Sequence, residues 1–159
     1  MSWTVKDEGP TPQVSLVPDD IAEMHGAVRL MHAALEATQA AEPPVCWIDG
    51  RSGSFSVPQL LSVYTYAMAR GYFGCEEIEG QIRTDGCLRY LAGRQLLESG
   101  LLRRFRREHA ALVRSSLAFL VSRILGQLDA LPRLGFDPRT EATRRFNRAV
   151  AADSLEMEV

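Results

Sequence analysis

Apolar residues recur at steps of three and four through most of this chain, and no strict alternation of apolar and polar residues persists for five positions, so the pattern predicts an all-α protein of five to six helices. Ile21, Met24, Val28, Met31 and Leu35 predict a first helix from Asp19 or Asp20 to about Ala40, with this stripe turned toward the core. The same repeat also suits a partner helix, in this chain or in a second copy. Residues 42–54 hold Pro43, Pro44, Gly50 and Gly53 and read as a turn-rich connector, anchored by Trp47 and Ile48. A second helix is expected from near Ser56, with Pro58 in its first turn and Gly71 closing it. Leu60, Leu61, Val63, Tyr64, Ala67 and Met68 make it apolar around much of its circumference, as suits a central core helix.

Two short helices follow, about Glu76–Arg83 and Asp85–Leu91, the second ended by Gly93. Ser99 reads as the cap of a fifth helix in which Leu102, Phe105, His109, Leu112, Ser116, Leu120 and Ile124 keep helical spacing to about Leu128, as one long helix. Pro132 and Gly135 break the pattern. Asp137 and Pro138 then open a last helix to about Ala152 with a basic face, followed by the acidic DSLEMEV, expected as a loose tail. The domain reading is a mobile arm over 1–17, a helical domain over 18–130 and a C-terminal basic helix with its acidic tail over 131–159.

Charge alters this picture because it is unevenly spread. The whole chain has a formal net charge of −2, yet residues 1–98 carry 7 basic and 13 acidic side chains, while residues 99–148 carry 11 basic and 4 acidic ones. Such asymmetry points to a polyanion-binding face beside an acidic remainder. All 18 basic residues but Lys6 are arginine, whose planar fork suits bidentate contacts to phosphate and to guanine edges; a GC-rich coding sequence would produce the same bias. Arg83, Arg89 and Arg94 flank the two short helices, and Arg103, Arg104, Arg106 and Arg107 fill the first turns of the next. Short helices joined by glycine-containing turns beside an arginine cluster outline a helix-turn-helix binder of double-stranded DNA, with these seven arginines as its DNA-binding residues.

Tyr64 to Tyr72, then Cys75, Ile78 with Glu79, Asp85 with Arg89, Leu91 and Gly93, and finally Phe105, Arg106, Arg107 and His109 form an ordered succession over residues 55–113. This succession resembles the amino-terminal, InsH-like domain of bacterial DDE insertion-sequence transposases, and LVPDDIAEM at Leu16–Met24 is similar to their lead-in helix. The resemblance implies recognition of inverted-repeat ends, by a truncated transposase or a repressor-like derivative. The chain departs from the family in carrying Cys75 where a serine is usual and Glu98 to Leu102 where polar residues are usual. It also has only 50 residues after His109, so no catalytic triad is carried over and the chain is not read as an enzyme.

The remaining chemistry narrows the field. Cys46, Cys75 and Cys87 lack metal-ligand or disulfide spacing, and His25, His32 and His109 lie far from any cysteine pair, so neither a metal nor another cofactor is expected. Glu76, Glu77 and Glu79 complement a helix dipole more simply than they serve catalysis, and His109 reads as a structural histidine. No P-loop, dinucleotide fingerprint or nucleophile elbow is present. The N-terminus lacks a signal-peptide pattern and no apolar run reaches membrane-spanning length, which predicts a cytoplasmic chain without a membrane partner. Against DNA binding stands one alternative: a protein interaction or homodimerisation module built on the first and fifth helices.

Overall fold

A computed structural model describes residues 26–51, 53–127 and 137–158. These residues form an all-α fold with one small hairpin: α1 (Ala27–Ala40), β1 (Trp47–Asp49), β2 (Ser54–Ser56), α2 (Val57–Arg70), α3 (Cys75–Gln81), α4 (Gly86–Leu91), α5 (Ser99–Glu108), α6 (Ala110–Gln127) and α7 (Pro138–Glu158). The N-terminal arm, Trp3, the start of the first helix and the break at 131–136 lie outside the described residues.

As its pattern predicts, α2 is the central helix. The Ser56 hydroxyl accepts a hydrogen bond from Gln59 N, Pro58 sits in the first turn, and Gly71 closes the helix at φ +99°. Eleven of its residues are buried, among them Leu60, Leu61, Tyr64, Tyr66 and Met68, and it packs against α1, α4, α6 and α7. One continuous core runs from Leu30 on α1 through Ile78, Leu88 and Phe105 to Leu120 on α6 and Ala142, Phe146 and Ala149 on α7. The C-terminal helix therefore shares the core of the preceding helices.

Five expectations are corrected. The long fifth helix is two helices: His109 leaves helical geometry at φ −127°, ψ 36°, and its ring lies 5.1 Å from that of Phe105. The break separates α5, which packs on α3, from α6, which packs on α1 and α2, so each half buries its own apolar face. Ser99 does not cap α5; Glu98 holds the cap position, and Ser99 N donates to Glu79 Oε1 of α3 at 3.0 Å. The connector forms an antiparallel hairpin pairing Trp47 with Ser56 and Asp49 with Ser54, too short for alternation to reveal. Its anchor is the buried Phe55, whereas Trp47 is exposed. The expected loose tail is helical, with α7 running to Glu158.

The fifth correction concerns α1. Leu30, Ala33, Ala34 and Ala37 face the core, whereas Val28 and Leu35 of the expected inward stripe are 57% and 37% exposed and Met31 is half-buried. Small alanines win the inward face because they let α1 approach α2 and α6 closely.

Gly71 gives a clean test of backbone control. A Cβ there would meet nothing within 4 Å, so Gly71→Ala costs only the left-handed conformation, about 1 kcal/mol, read as a lowered midpoint in urea at an unchanged slope.

Candidate nucleic-acid interface

The segment from Cys75 to Glu108 folds around two buried carboxylates. Asp85 is the first. Its Oδ1 caps α4 by accepting Cys87 N at 3.0 Å and Leu88 N at 3.1 Å, while Oδ2 accepts the Tyr66 and Tyr72 hydroxyls, both at 2.9 Å, and Arg70 Nε at 3.3 Å. Burial alone would raise this carboxyl, but the Leu88 amide, the two tyrosines and Arg70 favour the charged form and hold it below the ordinary carboxylate range. The same burial and the neighbouring carboxylate push the Tyr66 hydroxyl well above its usual value, so Tyr66 stays a donor.

Asp153, on the stretch expected to be loose, is the second. It is only 2% exposed, receives Arg106 in a close ion pair, and accepts Cys75 N at 2.7 Å and Cys75 Sγ at 3.2 Å. Three residues on, Glu156 accepts Glu76 N at 3.0 Å and lies 3.9 Å from Arg103 Nη2. Gly74 makes room for that carboxylate, since a Cβ there would fall 2.0 Å from Glu156 Oε2. The acidic end of α7 is thus the counter-charge of α5 and the cap of α3. Sequence reasoning missed Asp153, although Ala142, Phe146, Ala149 and Asp153 continue one stripe at steps of four and three.

The seven predicted arginines consequently divide. Arg106 is buried, 7% exposed, and also donates to Ala149 O, so it holds α5 to α7 and does not face a ligand. Arg103 is mostly covered and lies among Glu76, Asp153 and Glu156. Arg104 is exposed and donates to Asp49 O of the hairpin, and Arg107 is exposed. Arg83, Arg89 and Arg94 are all exposed around α4, with Arg89 donating to the Ile82 and Arg83 carbonyls and so bracing the α3–α4 turn. On the last helix, Arg145 is buried against Glu141 at 3.0 Å and donates to the Met68 carbonyl, and Arg148 lies 4.3 Å from the Phe73 ring centre. Of the basic face of α7, Arg145 alone is buried, Arg144 is half-buried beside Glu141, and Arg139 and Arg148 are exposed.

Around α4, Arg83, Arg89 and Arg94 outnumber the carboxylates of the stretch. Asp85 is the sole carboxylate between Gly80 and Leu97, and it is buried, while Tyr90 presents an aromatic ring 60% exposed among the arginines. Arg94 follows Gly93 in the left-handed region, at φ +61°, with its N–H on Arg89 O at 2.9 Å. That conformation costs a non-glycine residue about 1 kcal/mol.

Among the described residues no group of three or more His, Cys, Asp or Glu side chains is placed to hold a metal ion, and no helix is long and apolar enough to cross a membrane. Comparison with known proteins gives no match: no family model matches the chain, and neither does any curated protein or solved structure.

Two outcomes follow from the buried charges. Arg106→Ala strands Asp153 and should cost about 3–5 kcal/mol, whereas Arg107→Ala stays within about 0.5 kcal/mol, both by urea unfolding. Because the folded Asp85 carboxyl lies below its unfolded value, its contribution is complete at neutral pH and is lost as pH falls below about 4. Asp85→Asn should therefore destabilise the protein by about 1–3 kcal/mol at pH 7, with the gap to wild type closing in acid.

Proposed function

We propose that the protein binds double-stranded DNA through the surface around α4, without cleaving it. Arg83, Arg89 and Arg94 neutralise phosphates, with Arg104 and Arg107 of α5 extending the contact. The reading is carried by one observation: three exposed arginines lie on or beside α4, in a stretch, Gly80 to Leu97, whose one carboxylate, Asp85, is buried. Tyr90 and the turn residues Thr84 and Gln95 supply aromatic and polar groups beside those charges. Arg94 adds support, because a left-handed position that glycine or asparagine would fill more cheaply is held by a cation.

The resemblance to transposase amino-terminal domains favours inverted-repeat ends as the target and a truncated or repressor-like role. Arg103 and Arg106 stand outside this reading as structural residues, since their charges are already met by α7.

Fluorescence anisotropy of a labelled duplex tests it. Five phosphate contacts give a slope of log affinity against log salt near −4.5. Arg83→Glu with Arg89→Glu and Arg94→Glu, all exposed, should abolish binding while the circular dichroism spectrum is kept. Arg94→Asn should leave stability unchanged or slightly raised and flatten the salt slope by about 1. A folded wild-type protein that ignores duplex at low salt would overturn the proposal.

A further inference from the structure

The outward face of α1 stays exposed among the described residues, with Arg123 of α6 reaching its Glu36 edge, and its pattern is self-complementary. Val28 and Leu35 form one edge of this face, Arg29 and Glu36 form the other, and His32 lies between them; all five are exposed. Each edge pair is separated by seven residues, two helical turns, so its members lie in line along the axis. The midpoints of both pairs fall beside His32.

We propose that this face binds a second copy of the chain, antiparallel, about a two-fold axis at His32. Such an axis sets each edge against its own kind: Val28 meets Leu35 of the second copy, and Arg29 meets Glu36, each pairing occurring twice. A parallel copy would instead set the apolar edge against the charged one, burying Val28 beside an arginine. Glu36 already accepts Arg123 of its own chain at 3.3 Å, so the second copy's Arg29 completes a three-membered charge group. Met31, half-buried at the rim of the apolar edge, adds area. In the sequence the three-four spacing of this stripe continues back to Met24 and Ile21. The inference is independent of DNA binding and is tested without nucleic acid.

Sedimentation equilibrium over a dilution series should give a mass that rises from one chain toward two. Val28→Asp with Leu35→Asp, both at exposed positions, should weaken association about tenfold or more. Arg29→Glu alone should weaken it, and Arg29→Glu with Glu36→Arg should restore it. In a Cys46→Ser background, which removes the exposed native thiol, His32→Cys should cross-link under mild oxidant and Arg29→Cys should not. A wild-type protein that stays monomeric, a dimer indifferent to the Val28 and Leu35 substitutions, or cross-linking through Arg29→Cys in preference to His32→Cys would each overturn the proposal.

Discussion

The ion pair between Arg106 and Asp153 is the constraint on which the rest of the arrangement depends. Neither charge can be left alone in the core, because an isolated buried ion costs several kcal/mol. Once α5 turns Arg106 inward, the end of α7 must come to it, and Asp153 then fixes α3 by taking the Cys75 amide. α3, α4 and α5 have 7, 6 and 10 residues, too few for stability as isolated helices. They are held by acidic side chains: Asp153 and Glu156 of α7 on α3, Glu79 of α3 at the head of α5, and α4's own cap residue Asp85 at its head.

This explains how a chain of net negative charge can present a basic surface. The carboxylates of this segment are largely spent on amides and on internal arginines, and Asp85 lies under the surface that Arg83, Arg89 and Arg94 occupy. Clustering of arginine in the sequence is a poor guide here: the densest run, from Arg103 to Arg107, contributes two structural cations, while the scattered three around α4 remain outward.

Much of the architecture was legible. Ser56, Pro58 and Gly71 delimit α2 because capping is local chemistry, written within a few residues. The core face of α2 was legible because nearly all of it is buried. The faces of α1 were not, since deciding between its alanine side and its Val28–Leu35 side requires knowing how closely α2 and α6 approach. The role of Asp153 was hidden for a similar reason: its partners Arg106 and Cys75 are 47 and 78 positions away, and an acidic C-terminal stretch usually meets solvent. Ile78, Asp85 and Phe105, members of the ordered succession over residues 55–113, lie in the core or cap helices, so that succession describes a scaffold more than a contact surface.

The position of Asp153 also bears on the order of events during synthesis. Arg106 emerges long before its counter-charge, and α3 lacks the acceptor for its first amide until the same late residue is made. The final packing of the segment from Cys75 to His109 therefore waits on a contact of high sequence separation.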